Sequence, residues 1–194
     1  MTWFKKKRPV DYVIYSAIIV IGIIVDQLTK FLTVKFMNKG DSIPLIKGFL
    51  HITYTTNDGA AFGMMDDPDQ RWIFLVISTL ATLLFLGYLY LGHADNMLYA
   101  VSLSMVISGG IGNMIDRLGM GFYVDPVSGI GEVVDFIDFC GIWNAIFNVA
   151  DSFVCVGAGL LILALVIDLV KEIKEEKAKK AEAVESTDGQ DGEK

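Results

Sequence analysis

Two aspartates stand where a carboxylate is costly. Asp135 lies between Val133-Val134 and Phe136-Ile137, and Asp151 follows Asn148-Val149-Ala150 at the head of a long apolar run. An ionised group at the margin of hydrocarbon persists when it is paired, hydrated or functional. Two such groups brought together can share one proton and activate a water. The apolar neighbours of Asp135 would desolvate it and raise its pKa, whereas Asp151 sits early in a helix, where the dipole favours its anion. Carboxyls in such different surroundings can supply an acid and a base at the same pH. Each also has a plain structural reading, a loop turn for Asp135 and a helix start for Asp151.

The elements that would have to position this pair are membrane helices. Of 194 residues 53% are hydrophobic, and the mean hydropathy is +0.50, too apolar for an ordinary soluble domain. Four stretches are long enough to cross a bilayer, at residues 12–34, 72–91, 97–115 and 145–170. Lys5, Lys6, Lys7 and Arg8 precede the first, and Lys171, Lys174, Lys177, Lys179 and Lys180 follow the last. The positive-inside rule then puts both termini in the cytoplasm and the long connections, 35–71 and 117–144, outside. No small-residue cleavage site follows the first apolar run, which is read as a retained helix rather than a cleaved leader. Residues 1–170 form one four-helix domain on this reading. Residues 171–194 form a charged, disordered cytoplasmic tail that begins as a Lys/Glu helix. The expected class is an all-α integral membrane protein with a small extracytoplasmic sheet in the first outer loop. That sheet is signalled by the β-branched and aromatic run 49–56, closed by Asn57-Asp58-Gly59.

On this topology Asp26, Asp116, Asp135 and Asp151 all fall near the outer face. Asp26 and Lys30 are four apart, the acid first, in the better order for a helical ion pair, and a scaffold role is favoured for them. Asn113 and Asp116 share a helix face. Asp116 at a helix C-terminus needs a partner, most simply Arg117, another basic group or a backbone donor. Gly109-Gly110-Ile111-Gly112 is no phosphate loop, since no Lys-Ser/Thr follows; small residues there let helices approach closely or leave room for a substrate. Cys140 and Cys155 form no disulfide framework and have no His near them in sequence, only His51 and His93 being present. Cysteine-protease chemistry and a His-based metal site are therefore not expected. A net charge of −7 and the lack of a basic, aromatic-laced stripe argue against nucleic acid. A small transporter would need a polar path, which the uncharged second and third spans do not offer. A membrane anchor would tolerate loss of either aspartate.

Five blocks, in order, resemble the bacterial lipoprotein signal peptidases (signal peptidase II), which are intramembrane aspartic proteases. They are Asp26-Gln27-Leu28-Thr29-Lys30, Asn57-Asp58-Gly59-Ala60-Ala61-Phe62-Gly63, Gly109-Gly110-Ile111-Gly112-Asn113-Met114-Ile115-Asp116-Arg117, Val133-Val134-Asp135-Phe136-Ile137-Asp138-Phe139 and Phe147-Asn148-Val149-Ala150-Asp151-Ser152. The resemblance implies that Asp135 and Asp151 are the catalytic dyad. It implies that Asn57, Gly59, Gly110, Asn113, Arg117, Asn148 and Ala150 line or support the substrate groove, and that Asp26 and Lys30 are structural, the reading that the residues themselves favour for Asp116. It further implies a multi-pass enzyme of the bacterial cell membrane acting on prolipoproteins whose lipobox Cys carries diacylglyceryl. Cleavage just before that Cys would need no metal or cofactor. Membrane lipid is the other expected partner, and a monomer is expected. The stretch between Arg117 and Val133 is longer than the family usually shows.

Overall fold

The computed structural model describes residues 8–57, 70–91 and 96–188. Four helices and four strands follow in the order α1 (Pro9–Phe36), β1 (Ser42–Ile46), β2 (Leu50–Asn57), α2 (Gln70–Tyr90), α3 (Met97–Arg117), β3 (Val133–Asp138), β4 (Ile146–Phe147) and α4 (Val149–Asp188). Among the described residues α1, α3 and α4 each contain a stretch long and apolar enough to cross a membrane, and the apolar part of α2 runs Leu75–Tyr90.

Helix α1 starts at a reciprocal cap. The Arg8 N–H donates to Asp11 Oδ2 at 2.9 Å, and Pro9 takes the first helical position, where its missing N–H costs nothing. Tyr15, Ile19, Gly22, Asp26, Lys30 and Thr33 are buried, a three-or-four spacing that marks one face. Val13, Val20, Ile21, Ile24 and Leu28 on the remainder are exposed, as suits a surface solvated by lipid tails. Helix α3 is the central element and packs on α1, α2 and α4. Its contact faces carry small residues. The Ser108 hydroxyl donates to the Ile19 carbonyl of α1 at 3.1 Å, and Gly109 lies against the Ala150 carbonyl and Val154 of α4. In lipid, where tails are as apolar as side chains, such close approach is what makes helix association favourable. Tyr15, Ile19, Leu89, Ala100, Leu103 and Ile107 form the apolar core away from the site.

The sheet differs from the sequence expectation. It is antiparallel, in the order β1-β2-β3-β4, so half of it comes from the second connection rather than the first. A run as short as Val133–Asp138 reads in sequence as loop because it is apolar on both faces, without alternation. Both faces are in fact covered. Val134 and Phe136 join Tyr54 in a small core against Val34 of α1 and Met37 just beyond it, while Asp135 points the other way. The register slips between Ile52 and Thr55, a bulge that re-aims β2 beside the site.

The tail departs in part from expectation. The tail set apart as disordered after residue 170 continues α4 as far as Asp188. Its Lys, Glu and Ala are strong helix formers, and the Lys180 ammonium pairs with Glu176 at 2.6 Å. The long 118–132 stretch is a small hairpin bridged at Val124 and Gly131. Asp125 Oδ1 accepts from the Val127 N–H at 3.0 Å and the Ser128 N–H at 2.7 Å. Phe122 rests on Phe31 of α1, ring centres 5.3 Å apart.

A Cβ at Gly157 of α4 would sit 2.8 Å from the Ser102 carbonyl and 2.9 Å from Val106 of α3. Gly157→Val is therefore expected to force the two helices apart at a cost of about 1–3 kcal/mol, read as a lower melting temperature in detergent. Unchanged melting would contradict the close approach.

Candidate active site

The site is built around a lysine without solvent. Lys30 is 0% exposed, Asp26 1% and Asp116 0%. The Lys30 ammonium has three donors, and each finds an acceptor: Asp116 Oδ2 at 2.6 Å, Asp26 Oδ2 at 2.8 Å and Asn113 Oδ1 at 2.9 Å. Asp26 and Lys30 lie on α1 while Asn113 and Asp116 lie on α3, so the cluster bolts the two helices together. The partner of Asp116 is thus Lys30 from another helix, not the adjacent Arg117. Gln27 extends the network, donating to Asp26 Oδ2 at 3.1 Å and to the Gly112 carbonyl at 3.1 Å. Asp26 Oδ1 accepts the Ala150 N–H at 2.8 Å, which ties in the first turn of α4.

From this cluster the hydrogen bonds run outward to both aspartates. Asn113 accepts from Lys30 and donates through Nδ2 to Asp151 Oδ1 at 2.8 Å. Asn148 caps α4 reciprocally with Asp151. The Asp151 N–H donates to Asn148 Oδ1 at 2.9 Å, and the Asn148 N–H donates to Asp151 Oδ2 at 3.1 Å. The Asn148 amide then donates to Asn113 Oδ1 at 3.1 Å and to Asp135 Oδ1 at 2.7 Å. Asp151 is therefore a helix-start residue and a member of the site at once. Asp135, 3% exposed on β3, is no loop turn but a strand residue facing Asp151. Burial and the nearby Asp151 carboxylate raise its pKa to about 7, against the opposing hydrogen bonds from Asn148 and Asn57.

Both carboxylates open on one cleft of about 360 Å³, lined also by Asn57, Gly110, Asn113 and Arg117, with Phe147 and Val154 among its apolar walls. A buried acid with a raised pKa beside a second carboxylate, in a cleft with amide donors, can polarise a carbonyl and activate a water. The family model for signal peptidase (SPase) II matches residues 18–167.

The chain belongs to the signal peptidase II family.

The lipoprotein signal peptidase of Caldanaerobacter subterraneus subsp. tengcongensis is 41% identical over 144 residues, covering 73% of this chain and 90% of that relative. That of Halalkalibacterium halodurans is 37% identical over 157 residues, covering 80% and 93%. A solved bacterial membrane enzyme superposes with a TM-score of 0.70 at 32% identity, covering 86% of this chain and 93% of that one. Family membership makes the chain a peptidase, and its apolar helices are those of a multi-pass membrane protein.

Of the residues singled out in sequence, Asn57, Gly110, Asn113 and Arg117 share the cleft with Asp135 and Asp151. Asn148 and Ala150 are buried behind it, 0% and 1% exposed. Gly59 lies outside the described residues. Gln27 had no role assigned from sequence, and Gly112 only the close packing of its glycine run. A Cβ on Gly112 would lie 2.6 Å from Asp26 Oδ2, a constraint visible only once α1 and α3 are docked. A second correction concerns the histidines. His51 on β2 is the cross-strand partner of Asp138, and these two with Cys140 bring donor atoms within 4.8 Å of one another. No His had been expected near a cysteine.

Lys30→Met would leave Asp26 and Asp116 buried without their counter-charge. It is expected to destabilise the protein by about 3–5 kcal/mol, measured by thermal unfolding in detergent; a neutral outcome would contradict the network. The raised pKa of Asp135 has its own signature. A carboxyl held above its ordinary value of about 4 favours the fold while protonated, and that contribution is lost as pH rises through about 7. Melting temperatures of the Asp135→Asn variant should fall less than those of the unaltered protein between these two pH values. Parallel curves would contradict the assignment.

Proposed function

We propose that the chain is an intramembrane aspartic endopeptidase that removes the signal peptide from diacylglyceryl-modified prolipoproteins, cutting just before the lipidated Cys. Membership of the signal peptidase II family supports the reaction class, and the relatives' name, lipoprotein signal peptidase, supports the substrate. The aspartic mechanism rests on one observation: Asp135, buried, and Asp151, partly buried, line the same cleft and are joined through Asn148 and Asn113.

At neutral pH the pair shares one proton, carried by Asp135. Asp151, its oxygens held by the Asn113 amide and the Asn148 N–H, takes a proton from a water lying between the two. The water oxygen bonds the scissile carbonyl carbon while Asp135 protonates the carbonyl oxygen. Collapse of the tetrahedral species breaks the C–N bond. Asp151 gives its proton to the leaving amine and Asp135 recovers its own. The apolar walls at Ile146, Phe147 and Val154 suit acyl chains and apolar signal-peptide side chains, and Asn57 and Arg117 at the same cleft suit peptide carbonyls.

The enzyme acts as a monomer with four spans, since one chain supplies both carboxylates. Both termini are cytoplasmic, following the basic residues that flank the first and last spans. The sheet and the cleft then lie at the extracytoplasmic face, and the exposed apolar sides of α1 and α4 meet lipid. Asp135→Asn and Asp151→Asn, made separately, should each lower cleavage by roughly 10²–10⁴-fold while protein levels hold. Lipid-modified, uncut precursor should accumulate in membranes. Normal processing by either variant would refute the dyad.

A further inference from the structure

On the far side of β3 from the cleft is a second constellation that the peptidase reaction does not use. His51 of β2 stands opposite Asp138 of β3, and Cys140 lies in the turn that follows, where Gly141 adopts a φ of 75°. The donor atoms that the three residues offer lie within 4.8 Å of one another. They come from three different chemical types: an imidazole, a carboxylate and a thiol.

The hydrogen bonds around them have a direction. Thr53 Oγ1 donates to Asp138 Oδ2 at 2.7 Å. With its hydrogen so committed, Thr53 accepts from the Ser42 hydroxyl, 2.8 Å away. Ser42, its own hydrogen spent, accepts at 3.1 Å from His51 Nδ1. This order places the imidazole proton on Nδ1 and leaves the lone pair on Nε2. Nε2 is buried and has no hydrogen-bond partner among the described residues. A buried acceptor without a donor is an unfavourable state that a cation would relieve. Metal-bound histidine is oriented in this way, by a hydrogen bond at its other ring nitrogen, and a ligating carboxylate is held in turn by its own donor. Ser42 and Thr53 supply both supports.

We infer that His51, Asp138 and Cys140 form a binding site for a borderline-soft divalent cation of the zinc class. Imidazole and thiolate together select such an ion over magnesium or calcium, which take oxygen donors. Three protein ligands leave a fourth tetrahedral position for water. On binding, the Cys140 thiol, which otherwise hydrogen-bonds Asp138, loses its proton to solvent. The charge then balances, with two negative ligands and one neutral ligand around a divalent ion. The bound ion would clamp β2 to β3 and fix the end of the strand that carries Asp135.

The test uses the untagged full-length protein in detergent, stripped with chelator and titrated with Co²⁺ as the spectroscopic probe. One Co²⁺ per chain is expected, with a thiolate-to-cobalt charge-transfer band that survives in Cys155→Ser and vanishes in Cys140→Ser. Thr53→Val should weaken binding by about 10-fold. A readout without substitutions keeps the matter open to refutation if a variant fails to fold: Zn²⁺ should slow maleimide alkylation of Cys140 and leave Cys155 unaffected. Absence of the band in the unaltered protein, its persistence in Cys140→Ser, or alkylation of Cys140 at the same rate with and without Zn²⁺ would overturn the site.

Discussion

An ammonium ion buried among three helices must have every one of its protons accepted, and the arrangement of this protein follows from meeting that demand at Lys30. Asp116, Asp26 and Asn113 take the three protons, and in doing so fix the rotation and depth of α1 against α3. Desolvating such charges is costly, and burial is tolerated only where the geometry is complete. The glycines of α3 make it complete. A side chain at Gly112 would collide with Asp26, so the absence of a Cβ there is part of the ion pair. The Ala150 N–H on Asp26 then draws the start of α4 into the same cluster.

The cluster and the candidate dyad are not separate devices. Asn113 faces Lys30 with its oxygen and Asp151 with its nitrogen, and Asn148 repeats the pattern toward Asp135. Amides are suited to this place because each offers donor and acceptor at once without adding charge. The positive charge of Lys30 is thereby felt at the cleft at one remove, without forming a direct ion pair that would fix a carboxylate in its ionised state. The helix cap does similar double service. The bonds that start α4 are the bonds that orient Asp151, so the local signal for a helix end and the position of a reactive group share the same atoms. The sheet contributes the other half, holding Asp135 on β3 and covering the C-terminal end of α1 with Tyr54, Val134 and Phe136.

Local chemistry in the chain was legible where it reported on its own neighbourhood. The i, i+4 spacing of Asp26 and Lys30 gives their pairing directly, the apolar runs give the helices, and the ordered motif blocks give the family. What depended on docking was not legible. Asp116 has Arg117 beside it in sequence, yet its partner is Lys30, because the helix turns Asp116 inward toward α1. The strand at 133–138 lacks the alternation of a half-buried strand, since both of its faces are covered, and the sheet was accordingly assigned to the first connection alone. Register is equally invisible: nothing near Cys140 in sequence points to His51, which arrives through its pairing with Asp138. The helical tail to Asp188 was underestimated by weighing its charge above its high content of Lys, Glu and Ala.

In the proposed mechanism Asp135 carries the shared proton of the pair, its pKa raised to about 7 by burial and by Asp151. The pH dependence of kcat/KM for purified protein acting on a synthetic diacylglyceryl peptide tests it most directly, because that profile reports the ionisations of the free enzyme. Activity is expected to fall as pH rises through about 7, as the acid of the pair loses its proton. Activity that stays level through about pH 9 would contradict it, since no proton of the pair would then be in play.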